Sequence, residues 1–155
     1  SVDSGILSAY DRVCGVDALV QEATSSGKTL GDVFAVLQKA YADLGFSPTE
    51  WHNHHQGGPT GYGARTVIAK PGDTFKILDT AKWEKAVKDI AGVDVQFGQA
   101  YAWNPSAPGV KSEDTFLLLP NGKREIVTGT PTLPAVDLQK VLGKATEAVK
   151  YGMKG

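Results

Sequence analysis

The hydrophobic period of this chain changes at Gly45, and that change limits the folds open to it. Before Gly45, apolar residues recur three and four apart, as on one face of a helix. Asp3 and Ser4 can each cap a first helix whose stripe is Ile6, Leu7, Tyr10, Val13, Cys14, Asp17 and Val20. The stripe fades at Thr24, Ser25, Ser26 and Gly27. Thr29 then begins a second helix, with Asp32 placed to complete a capping box. Its expected buried face is Leu30, Val33, Phe34, Leu37, Ala40, Tyr41 and Leu44, and Gly45 stands where a left-handed residue ends a helix. Two such helices joined by a short turn are expected to pack as an antiparallel pair.

Beyond Gly45 the pattern becomes short apolar runs divided by turn residues. Residues 46–70 hold all three histidines and Gly57, Gly58, Gly61 and Gly63. Residues 65–69 alternate weakly like a strand, Pro71-Gly72 marks a turn, and Thr80 caps a short helix bearing Trp83, Val87 and Ile90 that ends at Gly92. Residues 93–103 read as extended, with Asn104-Pro105-Ser106 and Pro108-Gly109 breaking the run that follows. Residues 115–119 are continuously apolar, the mark of a buried strand; Pro120-Asn121-Gly122 turns it back into 124–127. Residues 130–134 read as a rigid linker, and 137–151 as a last helix with Val141, Leu142, Ala145 and Val149 inside. Helices followed by strands predict an α+β fold.

Length and charge narrow the class. The 155 residues suit a single domain spanning 1–155, large enough to bury roughly 70% of its unfolded surface. A net charge of −1 argues against sequence-independent nucleic-acid binding, which needs a clustered excess of Lys and Arg. No apolar stretch is long enough to predict a membrane span, and the first residues do not read as a secretory leader. Cys14 is the single cysteine, so an internal disulfide and a thiolate zinc site are excluded, and a cytoplasmic location is expected.

Three segments could carry chemistry. In Trp51-His52-Asn53-His54-His55-Gln56-Gly57-Gly58, an extended backbone would point His52 and His54 one way and Asn53 and His55 the other. Neutral imidazoles bind divalent transition metals, and the glycines let backbone approach a ligand. A polar turn with one buried histidine bonded to backbone accounts for the same residues equally well. In Gly109-Val110-Lys111-Ser112-Glu113-Asp114-Thr115, an acidic pair opens a buried strand. Glu113 can ligate a metal; the simpler reading pairs it with Lys111 and lets Asp114 cap a turn. In Ala102-Trp103-Asn104-Pro105, Asn104 offers a neutral carbonyl oxygen, and Trp103 suits the core better than a substrate platform. Tyr62 and Arg65 are polar groups able to hold an anion.

In order, Tyr41-Ala42-Asp43-Leu44-Gly45, the run from Glu50 to Tyr62, Gln99-Ala100-Tyr101-Ala102-Trp103-Asn104-Pro105-Ser106 and the run from Gly109 to Thr115 resemble one family. It is the pita-bread metallopeptidases: creatinase, aminopeptidase P, prolidase and methionine aminopeptidase. The resemblance is nearest to Xaa-Pro-peptidase-like proteins, covers residues 5–128, and implies the C-terminal part of the pita-bread catalytic domain, with helices packed on one face of a mostly antiparallel curved sheet. Members bind two divalent ions, such as manganese, cobalt or zinc, through two aspartates, a histidine and two glutamates, and a metal-bound hydroxide attacks the peptide carbonyl.

By this resemblance His55, followed by Gly58, is the histidine ligand, with His54 as its alternative. Glu113 is the bridging glutamate. Asn104 stands where members have a glutamate, and an amide is the poorer ligand. In a peptidase of this kind Tyr62 or Arg65 would orient the substrate, with Trp103 the lesser candidate. The two aspartates belong upstream of the helix pair; Asp3 and Asp11 do not match them. The implied site is therefore incomplete, and this chain is expected to be inactive alone, as a piece of a metallopeptidase-like protein. Two further readings follow: a degenerate relative that binds a peptide or small molecule, and a homodimer that builds a site at its interface.

Overall fold

The computed structural model describes residues 2–60, 92–129, 136, 137, 139–141 and 143. The expectations for 61–91, including the strand at 65–69 and the helix from Thr80, lie outside these residues, as do the linker 130–134 and most of the last helix.

Helix α1 runs Ser4–Ala23 and α2 runs Leu30–Asp43. Asp3 caps α1, its carboxylate accepting from the amides of Gly5 (2.7 Å) and Ile6 (3.3 Å). The capping box of α2 is complete: Thr29 Oγ1 accepts from the Asp32 amide, and Asp32 accepts from the Thr29 amide. Gly45, at φ +80°, ends α2. There the Gly45 amide donates to Ala42, the Phe46 amide donates to Tyr41, and the Phe46 ring meets the Tyr41 ring at 5.7 Å. This is a Schellman ending with its apolar contact. Arg12, midway along α1, donates to the carbonyls of Leu44 and Gly45 just past the end of α2, so the second helix runs back antiparallel to the first.

The strands are β1 (Gly57–Pro59), β2 (Ala100–Trp103), β3 (Ser106–Ala107), β4 (Val110–Lys111), β5 (Asp114–Leu118) and β6 (Arg124–Ile126). Four form an open antiparallel sheet in the order β1-β2-β5-β6; β3 and β4 form a separate hairpin. Tyr101 and Trp103 of β2, and Phe116 and Leu118 of β5, are buried on one face of the sheet. That face packs on Val16, Val20, Leu30, Val33, Leu37 and Tyr41 of the helices, forming one core. The result is an α+β architecture.

Four details depart from the sequence expectation. Ile6 and Leu7 are exposed, and the α1 stripe is buried only from Val13. Only residues 100–103 of the expected 93–103 extended run join the sheet; before them lie a single bridge from Asp94 to Thr29 and a left-handed Gly98. Pro108-Gly109 does not merely interrupt the chain; it turns the β3–β4 hairpin, with Gly109 at φ +82°. The buried strand begins one residue early, at Asp114, which pairs with Trp103. Among the described residues no helix is long and apolar enough to cross a membrane.

Candidate functional site

Strand register gathers the chemistry. Gly57 pairs with Trp103, and Trp103 pairs with Asp114. The residues just outside this row, His55 and Gln56, Asn104, and Glu113, therefore lie at one end of the sheet. Gly57 makes the approach possible. It sits at φ +84°, and a Cβ there would stand 2.1 Å from the Ala102 carbonyl oxygen.

The histidine segment is not extended throughout. Residues Glu50–Asn53 form a single 3-10 turn, which places the His52 ring edge-on to Trp51, with centroids 3.8 Å apart. The expected alternation of His52 and His54 against Asn53 and His55 is thereby lost. Instead His54 and His55 stack, with ring centroids 4.5 Å apart and planes 24° apart. Burial lowers both imidazole pKa values, and Lys111 lowers them further while Glu113 opposes it. Both rings are accordingly neutral at pH 7, and both feel Glu113 and Lys111.

Asn104 is buried, and its side-chain nitrogen lies 3.4 Å from His55 Nδ1. In this orientation His55 Nδ1 accepts, so Nε2 carries the ring proton and has no lone pair for a metal. A half-turn of the amide reverses the roles: Oδ1 accepts from Nδ1–H and Nε2 becomes a ligand. Among the described residues, Asn104 Oδ1 and His54 Nδ1 are buried without a hydrogen-bond partner. Glu113 forms an ion pair with Lys111 at 2.7 Å. Asp114 accepts from Thr128 Oγ1 at 2.9 Å, and that hydroxyl accepts from the Thr115 amide.

Two residues that lie within the motifs but have no assigned role in them hold this end together. The single Tyr41 hydroxyl proton is shared between Gln56 Oε1 (2.9 Å) and the Ser106 carbonyl (3.0 Å), and the hydroxyl accepts from the Ser106 amide (2.8 Å). Gln56 donates to the carbonyls of Trp51 and His54, and its own carbonyl accepts from the Asn104 amide at 3.1 Å. Helix α2 thus fixes both the histidine segment and the Asn104 turn. The sequence signals were a polar Tyr41 tip on an apolar stripe and a Gln56 inside the histidine run.

Trp103 is not a substrate platform. It is fully buried, and its indole N–H donates to Thr24 Oγ1 at 2.9 Å. Tyr62 and Arg65 lie outside the described residues.

The donors at this end among the described residues do not fit a dinuclear metal centre. They are the stacked imidazoles of His54 and His55, one carboxylate already paired with a lysine, and one neutral amide. Among the described residues no three His, Cys, Asp or Glu side chains gather as a metal site. A set of this kind holds a single divalent ion weakly at best. No hydrolytic step is assigned to it.

Compared with protein-family models, curated proteins and solved structures, the chain matches none, so its chemistry is argued from the site itself.

Proposed function

We propose that this chain is a metallopeptidase-like domain of the Xaa-Pro-peptidase kind, with a pita-bread arrangement and an incomplete metal site, inactive toward peptides by itself. The observation that carries the reading is the meeting of His55, Asn104 and Glu113 at one end of the sheet. They come from three separate blocks of sequence, and the resemblance assigned those same positions to metal binding. His55 Nε2 and Glu113 would hold a manganese, cobalt or zinc ion, which supplies an activated water when fully coordinated. Asn104 would orient His55 through Nδ1 and contribute no charge. The expected setting is cytoplasmic, with a peptide or small molecule as ligand.

The test is hydrolysis of Xaa-Pro dipeptides and tripeptides with each added metal, comparing the chain with His55→Ala. The account predicts no turnover above the protein-free rate for either. Metal-dependent turnover abolished by His55→Ala would overturn the incomplete site.

A second reading has its own observation. The unpartnered, buried Asn104 Oδ1 is an acceptor suited to a ligand N–H, and His54 Nδ1 beside it is a donor or an acceptor according to its tautomer. On this reading the domain binds a peptide or small molecule without metal. Peptide binding by calorimetry that persists in chelator and weakens in Asn104→Ala supports it; binding that needs metal opposes it.

A further inference from the structure

A chain of polar side chains runs along one face of α1, at Tyr10, Cys14, Asp17 and Gln21, spaced four, three and four residues apart. It meets Ser112, in the loop between β4 and β5. Ser112 Oγ donates to Asp17 Oδ2 at 2.6 Å, and Gln21 Nε2 donates to Asp17 Oδ1 at 3.0 Å. Cys14 stands on this face between Tyr10 and Asp17 and is half-buried. Asp17 is 3% exposed, in the middle of a helix face otherwise buried through Val13, Val16 and Val20. Ser112 is also tied through its amide to the Pro105 carbonyl at 3.1 Å, and it precedes Glu113. Hence one buried carboxyl links the first helix to the loop that carries Glu113 and to the turn that follows Asn104.

We propose that the Asp17–Ser112 contact is a proton-operated latch that sets how firmly α1 holds the loop bearing Glu113.

The physical argument starts from the groups that face Asp17. On α1 they are Cys14 and Gln21; on α2, Tyr41; on the β4–β5 loop, Ser112 and Glu113; on β5, Asp114. Burial disfavours its charge most, and the carboxylates Asp114 and Glu113 add to that; among the described residues, the hydrogen bonds from Ser112 and Gln21 favour it. The balance pushes Asp17 up to about 6, where modest changes of pH alter its charge. When Asp17 is ionised, its bonds from Ser112 and Gln21 strengthen, but burial and the Glu113 and Asp114 carboxylates outweigh them, so the contact loosens. When Asp17 is protonated, that opposition is gone and α1 holds the loop more firmly. The latch needs no metal and stands apart from the peptidase-like reading.

The test is two-dimensional amide NMR of the whole chain from pH 4.5 to 8, following Ser112, Glu113 and Gln21. The wild type is expected to show a shared transition near pH 6. Asp17→Asn is expected to abolish it. Because that variant changes a buried group, two gentler ones accompany it. Ser112→Ala removes a bond that favours the charge, so the transition moves to higher pH. Glu113→Gln removes a repelling charge, so it moves lower. The latch is overturned if residues 112–113 show no transition near pH 6, if it survives Asp17→Asn, or if Ser112→Ala leaves its midpoint unmoved.

Discussion

Gly57→Ala separates a steric requirement from a conformational one at the mouth of the site. Gly57 and Gly58 are neighbours in β1, and both have positive φ, +84° and +142°. A side chain at either suffers backbone strain of about 1–3 kcal/mol. Their surroundings differ. A Cβ at Gly58 meets nothing within 4 Å, whereas one at Gly57 meets the Ala102 oxygen at 2.1 Å, the Trp103 Cα at 2.9 Å and the Ala102 carbon at 3.0 Å. All three are backbone, so no rotamer change relieves the contact. β1 must move off β2, weakening a ladder in which Gly57, Gly58 and Pro59 pair with Trp103, Ala102 and Tyr101. With each lost hydrogen bond costing about 1 kcal/mol, Gly57→Ala should cost about 3–5 kcal/mol in total. Gly58→Ala should cost only the strain. Urea unfolding at pH 7 measures both, and amide NMR reports whether the β1–β2 pairing survives. Equal destabilisation by the two variants, or an intact pairing in Gly57→Ala, would refute the claim that close backbone approach dictates this glycine.

The remaining predictions concern buried polar groups. Asp17 rises from 3.8 to about 6 on folding, so its favourable contribution is full below pH 4 and is lost as pH rises to about 6, by about 3 kcal/mol. Asp17→Asn, whose amide can serve both Ser112 and Gln21, should match the wild type near pH 4 and exceed its stability at pH 7.5, measured by urea unfolding at each pH. Thr24→Val leaves the buried Trp103 N–H without its acceptor and should cost about 1–3 kcal/mol by thermal unfolding. Tyr41→Phe strips partners from Gln56 and the Ser106 amide; it should cost about 1–3 kcal/mol and shift the ring resonances of His54 and His55.

Local rules made the helices legible. The capping box at Thr29 and Asp32 and the ending at Gly45 depend on residues within one turn of each other, and the structure forms both. The turn at Gly122 is local as well: its amide donates to the Leu119 carbonyl. Features set by long-range pairing were not readable. Nothing in the order of residues says that Gly57, Trp103 and Asp114 share one row, because register follows from how the sheet packs on the helices. The conformation of the histidines was misread, because Trp51 buries itself against Phe34 (ring centroids 5.3 Å apart) and the chain turns at 50–53. Asp17 was hidden in plain view: it occupied an apolar position in the α1 stripe, and its partner Ser112 lies 95 residues away.

The central claim is that His55, Asn104 and Glu113 form one incomplete cation site. Equilibrium binding of manganese, cobalt and zinc to the whole chain tests it most directly, with His55→Ala and Glu113→Gln alongside. The account predicts no more than one equivalent, held weakly and lost in both variants. Two tightly bound equivalents, or binding indifferent to His55 and Glu113, would contradict it.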